Sequence, residues 1–476
     1  MNKKSLLAVI TLAIFNFCFL GTEYLFDNMM ALVADSTEVV NAQNLVLGVS
    51  VLGFVAYGFL HKYLPEKVGR LLTLLATVIS VSCVFVIEQH SSRASIYIAG
   101  IICFICMGIA GSAVCYLASR SIDNYENLGK YVGLSYALGI LIQYCNNNWV
   151  KSDLVESITI SVFMVIFVCG TYLLSSHCNN FKENTNENSN EYVSLRLKRP
   201  VVSLVSLSVC VFLMTLIFST LDNAVTLVHS SGEYNIGQWP RLLLAVSGLV
   251  AGFVYDIKKR IFMPAIMYVV TMLSVISIIV IQLGGSFIFG LMVFYISAGF
   301  FVVFFMVSFM DLSHYTKMPR IWAGMGRAIN NLCAIVSTAL TVSMLNNRSL
   351  MMILIVAIVL LAGITCSIVV YYKPFVEAIR DMDREVVKKE ALEEFSSKSK
   401  SDKFQMFVLK HAFTERETEV MLELINNDDS VSNISKKLAM SRANLYRHVA
   451  KINEKTNTES RAELIRYYHE WNDDIV

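Results

Sequence analysis

Long apolar runs separated by short polar clusters occupy most of the chain. A transmembrane helix needs about 20 mostly apolar residues, and runs of this kind predict twelve spans. Their starts lie near Ser5, Asn44, Leu71, Ala94, Lys130, Ser157, Pro200, Pro240, Ile261, Gly285, Ile321 and Ser349. After residue 372 the apolar runs stop and charged residues dominate, so we predict a membrane domain over 1–372 and a soluble remainder.

The last part of the chain, 404–476, has the pattern of short soluble helices. Thr414 followed by Glu417 is a capping box that opens a first helix. Ser441 precedes a third helix that runs to about residue 456, and Ser460 precedes a fourth. The second and third helices have the spacing of a helix-turn-helix, whose second member enters the major groove of DNA. We therefore predict a four-helix DNA-binding domain.

Composition and charge agree with this division. The chain is 55% apolar and 16% charged, against about 25% charged in an ordinary soluble protein. If the N-terminus is cytoplasmic, the outer segments contain only Arg93, Lys151, Arg241 and Arg348, and the other loop Lys and Arg residues lie inside. The first run lacks a small-x-small cleavage site, so we expect it to stay as the first span. The prediction is a multi-pass protein of the bacterial cytoplasmic (inner) membrane, with the lipid bilayer as partner and both termini cytoplasmic.

Signals for enzymatic chemistry are missing from the sequence. Cys103 and Cys106 lie three residues apart within one apolar run, which indicates buried thiols on one helix face and no metal site. We find no phosphate loop, catalytic triad, kinase motif or receiver-type sequence. We therefore expect no enzyme, no catalytic residues, no metal and no cofactor.

The membrane domain has an internal repeat. A polar loop at 178–199 divides the spans into halves 1–177 and 200–372. FDNMMALV at 26–33 matches LDNAVTLV at 221–228, a shift of 195, and Gly53 matches Gly248 at the same shift. Two matches in register predict a duplicated six-span unit.

In architecture the membrane domain resembles the major facilitator superfamily. That family has a loop after the second span of each half, G-x-x-x-D-x-x-G-R, and the second half matches it with Gly252, Asp256 and Arg260. A lysine replaces the second glycine. In the first half Gly58 is followed by Lys62 where the aspartate should be. The resemblance implies a cytoplasmic gate clamped by an Asp–Arg contact, and the loss of the motif in one half weakens the case for active transport.

Four ionisable residues fall at membrane depth, where charge is costly and usually functional: Glu23, Asp27, Asp222 and Arg327. The first and seventh spans of the resembled fold line a central cavity from opposite halves. The resemblance therefore implies that Asp27 and Asp222 face each other across a pocket for an unknown small molecule. Such a pocket suits a cationic ligand or a proton-linked switch.

A structural alternative exists for each of these charges. The two aspartates can instead hydrogen-bond Asn28, Asn223 or Tyr24 and hold helices together. For Arg327, an ion pair within the fold or a side chain that reaches the cytoplasmic surface is favoured over a contact with a ligand.

The C-terminal domain resembles the LuxR-type (NarL/FixJ-like) DNA-binding domain. The spacing from Ser441 to Leu464 matches without a gap, and the matching residues are Thr414, Arg416, Glu417, Glu419, Val420, Ser432, Asn433, Leu438, Ser441, His448, Ile452, Lys455 and Ser460–Leu464. Tyr446 replaces a lysine that typically contacts DNA in the family, so base preference is expected to differ.

The third helix carries the predicted DNA-binding residues: Arg442, Asn444, Tyr446, Arg447, His448, Lys451 and Lys455. The domain as a whole is neutral, but this helix is basic, which favours local docking on phosphates. Arg442 and Asn444 are best placed for base edges, and Lys451 and Lys455 for phosphate. The alternative is that these basic side chains only keep one face of the helix exposed to water.

The segment 373–403 joins the two domains. Phe375, Ile379, Met382 and Val386 recur at four-three-four spacing, which predicts an amphipathic helix. It either pairs two copies as a short coiled coil, giving a homodimer on DNA, or lies on the bilayer. The sequence SSKSKSDK that follows predicts a flexible tether.

The predicted fold is all-α: a twelve-transmembrane-helix bundle of two six-helix repeats plus a C-terminal four-helix LuxR-type helix-turn-helix domain. The predicted function is a membrane-integrated transcriptional regulator that binds double-stranded DNA and responds to a small molecule in the bundle. The alternatives are a secondary transporter with a regulatory DNA-binding tail, and release of the tail by proteolysis.

Overall fold

A computed structural model describes residues 2–63, 66–122, 127–184, 200–232, 238–347, 350–426 and 431–471. The chain divides into two compact units, Met1–Ile379 and Arg380–Val476. The regular secondary structure in these ranges is helical throughout, with no strand. The all-α prediction is therefore confirmed.

The first unit begins with six long helices. They are α1 (Lys3–Ala31), α2 (Ser36–Tyr63), α3 (Glu66–Glu88), α4 (Arg93–Ser121), α5 (Leu128–Trp149) and α6 (Asp153–Asn184). The second helix begins before the predicted start at Asn44, because Ser36–Gln43 continues the helix with a polar first turn. The sixth helix extends into the predicted loop 178–199, and residues 185–199 of that loop lie outside the described part.

The second half has the same order with two short insertions. Its helices are α7 (Pro200–Ser230), α8 (Arg241–Tyr255), a 3-10 turn at Ile257–Arg260, α9 (Met263–Gln282), α10 (Phe287–Ser313), α11 (Pro319–Trp322), α12 (Met325–Asn347) and α13 (Leu350–Lys410). The predicted eleventh span thus begins with the short α11 and continues as α12.

Nine helices in the described ranges are long and apolar enough to cross a membrane, and α8 is a shorter apolar helix. These helices confirm a multi-pass membrane protein. The helices α5 and α12 are more polar, with asparagines at their ends. The count of twelve spans stays a prediction.

Equivalent helices pack in the two halves. Helix α2 packs on α4 and α8 packs on α10, while α5 packs against α8 and α2 against α12 across the halves. At the repeat position Gly53, an added Cβ would collide with the carbonyl oxygen of Ile105 on α4. The backbones of α2 and α4 therefore approach closely, as small residues allow in membrane bundles.

The end of α13 differs from the predicted linker. The backbone is helical through 396–403, where the sequence SSKSKSDK predicts a flexible tether. That prediction is wrong for the local structure, because serine, lysine and aspartate without glycine or proline do not interrupt a helix. The side chains of Phe375, Ile379, Met382 and Val386 lie outside the described part, so the coiled coil stays a prediction.

The second unit contains the four predicted helices. They are α14 (Glu415–Asn426), α15 (Val431–Lys437), α16 (Arg442–Thr456) and α17 (Arg461–Glu470). The amide of Thr414 donates to Glu417 over 2.8 Å, and Ser441 and Ser460 each accept a hydrogen bond from the third residue of the helix that follows. The capping predictions are confirmed, and each cap satisfies a helix-terminal N–H group.

An aromatic cluster at the end of α13 completes the core of the second unit. Phe407 is fully buried and contacts the rings of Phe413, Tyr467, Tyr468 and Trp471, with ring centroids 5.2–5.9 Å apart. The four helices pack on one another through Val420, Met421, Ile434, Leu445, Ile452 and Leu464. The unit therefore has an apolar core of its own.

Candidate functional site

A cavity of about 180 Å³ lies between the halves of the first unit, with walls from α1, α2, α5, α7, α8, α10 and α12. All four charges predicted at membrane depth line it: Glu23, Asp27, Asp222 and Arg327. The helix packing thus brings together residues that are far apart in sequence.

The two aspartates have no hydrogen-bonded protein partner in the part of the chain that the structure describes. Asp27 is 6% exposed, and one of its carboxylate oxygens is buried without a hydrogen bond. Within the described ranges, neither Asp27 nor Asp222 forms a hydrogen bond or an ion pair. Each lies within electrostatic reach of Glu23 and Arg241, and Asp27 also of Asp222. The side chains are therefore held near one another without contact.

The neighbouring amides proposed as partners serve other contacts. Asn44 on α2 donates to Asn223 on α7 over 2.9 Å. The side-chain oxygen of Asn28 on α1 lies 3.1 Å from Nε2 of His229 on α7, and the His229 ring stacks on Tyr24. These side chains connect the two halves beside the cavity. The structure does not support the alternative in which the asparagines fix the aspartates.

Arg241 is a cavity residue that the sequence analysis missed. It is 9% exposed, donates to Gln143 on α5 over 3.1 Å, and lies 5.7 Å from the centre of the Tyr24 ring. In sequence it follows Pro240 at the start of an apolar run, which is typical of an exposed interfacial charge. It is buried because α8 begins inside the bundle. No local sequence pattern indicates that Arg241 pairs with Gln143 on α5.

Arg327 lies in the first turn of α12 and is 7% exposed. Its guanidinium carbon is 4.9 Å from the ring centre of Phe19 and 5.9 Å from that of Phe305. One nitrogen donates to Asn16 over 3.3 Å. Among the described residues no carboxylate contacts it, so it makes no structural ion pair. The aromatic faces stabilise the cation through their quadrupoles.

Glu23 and Gln43 complete the polar lining near the aspartates. The Gln43 amide donates to the Glu23 carboxylate over 2.9 Å. Gln43 was also missed, because a single amide just before the predicted start of an apolar run carries no signal of its partner. The cavity thus contains three carboxyl groups and two guanidinium groups with no ion pair between them in the described structure.

The predicted gate residues meet at the other end of α8. Arg260 is fully buried and donates to Asp256 over 3.3 Å and to Asp311 over 3.2 Å. Asp256 also accepts hydrogen bonds from the backbone amides of Gly129 and Lys130, over 2.9 and 2.7 Å, at the start of α5. A carboxylate at a helix N-terminus is electrostatically favourable. We call Asp256, Arg260 and Asp311 the Arg260 network; Asp311 was missed by the sequence analysis.

The local backbone makes the Arg260 network possible. Lys258 and Arg260 both have left-handed conformations, with φ of 47° and 67°, which direct Arg260 back into the bundle. An added Cβ at Gly252 would lie 2.5 Å from the carbonyl oxygen of Gly129. Glycine at 252 therefore lets α8 and α5 approach closely enough for Asp256 to reach the end of α5.

The first half has no equivalent of this network among the described residues. There Arg320 donates to the carbonyl oxygen of His61 over 3.4 Å, and Ser112 donates to the carbonyl oxygen of Arg320 over 2.9 Å. Lys62, which replaces the aspartate of the motif, is exposed. The degenerate motif therefore corresponds to a contact made mostly by backbone oxygens.

The helix α16 presents the predicted DNA-binding residues on its exposed side. Asn444, Arg447 and Lys451 are exposed, Tyr446 is 59% exposed, and His448 is half-buried. The opposite side of the helix packs into the core through Leu445 and Ile452. Arg442 is exposed and donates to Ser432 on α15 over 2.6 Å, so it connects the two helices of the helix-turn-helix.

Lys455 differs from the other predicted DNA contacts. Its ammonium donates to the buried Glu417 over 2.6 Å and to the carbonyl oxygen of Ala412 over 2.8 Å. Burial alone raises the pKa of Glu417, but the hydrogen bonds from Lys455 and Thr414 outweigh it and lower the pKa below its usual value. Lys455 is thus engaged within the domain.

Comparison with known proteins agrees with both units. Residues 411–468 match the family model described as bacterial regulatory proteins, luxR family. A mutant of the nucleoside transporter NupG has a similar structure, with a TM-score of 0.50, 12% identity, and coverage of 77% of this chain and 100% of that chain. A structure described as an auto inhibited POT family peptide transporter has a TM-score of 0.49, 9% identity and coverage of 80% and 97%. No curated protein matches the chain.

The two resemblances stated from the sequence are therefore confirmed. Residues 411–468 form a LuxR-type helix-turn-helix domain. The helical membrane region has a fold like that of major facilitator-type transporters, and at this identity the likeness concerns the fold alone.

Proposed function

We propose that this chain is a membrane-integrated transcriptional regulator. One observation carries the proposal: a LuxR-type domain with an exposed basic helix belongs to the same polypeptide as a multi-pass bundle with a charged cavity. The domain binds double-stranded DNA, and a small molecule in the cavity controls that binding. Both termini lie in the cytoplasm, where the DNA of a bacterium is.

On DNA, α16 enters the major groove. Arg442 and Asn444 stand at the start of the helix, where side chains reach base edges, and Arg447 and Lys451 contact phosphates farther along. Tyr446 and His448 contribute to the same surface. We assign Lys455 to a structural contact within the domain instead, because its ammonium is bonded to Glu417. A homodimer reads two half-sites.

Control by a ligand follows from the position of the cavity. Contacts between the halves lie on both sides of it: Asn28–His229 and Asn44–Asn223 near the aspartates, and the Arg260 network at the cytoplasmic end. A ligand shifts a conformational equilibrium only by binding one state more tightly than another. A molecule that contacts both halves satisfies this condition, and Gly252, Asp256 and Arg260 form the cytoplasmic contact that the shift opens or closes.

The test is the genome-wide occupancy of the full-length protein in its host. We expect discrete promoter peaks for the wild type and none for an Arg447→Ala/Lys451→Ala variant. Both side chains are exposed, so the variant removes charge without disturbing the core. The matched control, Arg416→Ala/Arg466→Ala, removes two positive charges from α14 and α17 and should keep the peaks. Absence of specific wild-type peaks across several growth conditions would contradict the proposal.

A secondary transporter with a regulatory DNA-binding tail is the second candidate. The position of the cavity favours a transporter, because contacts that join the two halves lie on both sides of it. For this function, cells with and without the protein should differ in the uptake or release of a small molecule, and Asp27→Asn should remove the difference. Promoter occupancy without any such difference would leave the regulator as the function.

A further inference from the structure

The charges of the cavity are separated although both signs are present. Glu23, Asp27, Asp222, Arg241 and Arg327 all line it, and no two of them form an ion pair in the described structure. A buried charge without a partner costs several kcal/mol. Asp27 and Arg241 are also more than nine-tenths buried, and each has a side-chain atom without a hydrogen-bond partner. A partner from outside the chain is the simplest compensation for both signs.

The charges occupy two ends of the cavity. Arg327 lies against Phe19, whereas Asp27 is eight residues farther along the same helix. At a rise of 1.5 Å per residue, the two levels are about 12 Å apart. Helix α7 gives a similar spacing. Thr215 donates to Asn330, one turn from Arg327 on α12. Asp222 is seven residues after Thr215, so its level on the helix is about 10 Å away. The cavity thus has an acidic end and a basic end.

The wall between the two ends is mostly apolar. Phe218 on α7 stacks on Phe301 of α10, with ring centroids 4.4 Å apart, and Tyr136 and Leu244 line the same stretch. The cavity volume is about 180 Å³. So small a volume over this length fits a slender molecule.

Arg241 lies beside the acidic end. It is within electrostatic reach of Glu23, Asp27 and Asp222. It therefore offsets part of the negative charge there without contacting a carboxylate. Among the described carboxyl groups only Glu23 is within electrostatic reach of Arg327, and none contacts its guanidinium, which can therefore receive an anion.

We propose that the cavity binds a slender zwitterion, with its ammonium group between Asp27 and Asp222 and its carboxylate on Arg327. Hydrogen bonds of about 3 Å at each end leave roughly 4–6 Å between the charges of the ligand. This spacing favours a linear chain of several methylene groups along Phe218 over an α-amino group next to its carboxylate. The zwitterion deepens the function proposed above, since it gives the chemical class of the signal.

The test is binding to the purified full-length protein in detergent micelles, measured by titration calorimetry. The probes are glycine, 3-aminopropanoate, 4-aminobutanoate, 5-aminopentanoate and 6-aminohexanoate, with pentylamine and pentanoate as single-charge controls. We expect 5-aminopentanoate or 6-aminohexanoate to bind at least tenfold more tightly than glycine and than either single-charge control, because each loses one charged contact.

Variants assign each end of the ligand. With Asp222→Asn, 5-aminopentanoate should lose its advantage over pentanoate, and with Arg327→Gln its advantage over pentylamine. The controls are Glu156→Gln and Arg93→Gln, which change a buried carboxyl group and an exposed arginine outside the cavity; both should bind like the wild type. The conservative variant Arg327→Lys should keep part of the advantage, which separates loss of charge from loss of folding.

Three results would overturn the zwitterion site. One is that no member of the series binds. Another is that pentylamine binds as tightly as 5-aminopentanoate, which would show that the site binds a cation and not a zwitterion. The third is that Asp222→Asn and Arg327→Gln bind like the controls. The titration contains no DNA, so a failure here is distinct from a failure of promoter occupancy, and either can occur without the other.

Discussion

The cavity and the Arg260 network use the same residue types in the same bundle but in opposite ways. Arg260 contacts Asp256 and Asp311 at 3.3 and 3.2 Å. In the cavity, Arg241 and Arg327 lie near three carboxyl groups and contact none of them. Paired buried charges hold elements in place, whereas charges kept apart around a void remain available to a ligand. Pairing, and not charge alone, therefore distinguishes the Arg260 network from the cavity.

The origin of the difference lies in the backbone. Asp256 and Arg260 are four residues apart on one tight turn, and left-handed φ at Arg260 directs the side chain inward. The cavity charges stand on α1, α7, α8 and α12, and the aromatic residues between those helices keep them apart. The Glu417–Lys455 pair of the second unit follows the first pattern, with a buried carboxylate that accepts hydrogen bonds from Lys455 and Thr414.

The largest effect should come from breaking the Arg260 network. Arg260→Met leaves two buried carboxylates without a cation, and we expect the free energy of unfolding to fall by about 3–5 kcal/mol. Denaturant unfolding of the purified protein in micelles measures it. The double variant Arg260→Met/Asp311→Leu should recover part of the loss. If Arg260→Met proves as stable as the wild type, the network is not structural.

A smaller loss is expected in the second unit. Glu417→Gln weakens the hydrogen bonds to Lys455 and Thr414, which should cost about 1.5–3 kcal/mol. Because the pKa of Glu417 is lowered in the folded protein, its contribution is present above the usual glutamate pKa of about 4.3. It is lost as the pH falls through the folded value. Wild-type stability should therefore decline more steeply between about pH 5 and pH 3 than that of the variant. Parallel pH profiles would contradict this.

Removing an unpaired charge from the cavity should raise the free energy of unfolding, whereas the two changes above lower it. Asp27→Asn deletes a buried carboxylate charge that has no partner, and we expect the unliganded protein to gain about 0.5–1 kcal/mol, as binding sites often trade stability for function. Thermal unfolding without ligand, beside Glu156→Gln, measures it. A loss as large as that of Arg260→Met would mean that the cavity charges are structural after all.

The smallest effect separates two lysines of α16. Lys451→Ala should reduce the slope of log affinity for promoter DNA against log salt by about 1, with unchanged stability, because it removes one phosphate contact. Lys455→Ala should leave the slope unchanged and lower the stability. Fluorescence titrations at several salt concentrations, together with thermal unfolding, measure both. If Lys455→Ala lowered the slope and left the stability unchanged, Lys455 would be a DNA contact after all.

Much of this architecture is determined locally and was therefore predictable. The apolar runs predict the long helices, since a bilayer imposes length and composition directly. The caps at Thr414, Ser441 and Ser460 depend on residues three positions apart, so they are legible in sequence. The repeat around Asp27 and Asp222 shows that both aspartates occupy equivalent places, and their helices do meet at one cavity.

Which charges find partners depends on the packing of the helices and could not be predicted. Arg241 has the sequence context of an interfacial residue and is buried against Gln143. Asp311 lies in an apolar run with no sign that Arg260 is its partner, and Lys455 belongs to a basic helix but bonds Glu417. A sequence pattern reports periodicity and burial within one element. Pairing depends on the distance between elements, and only the packing of the helices determines that distance.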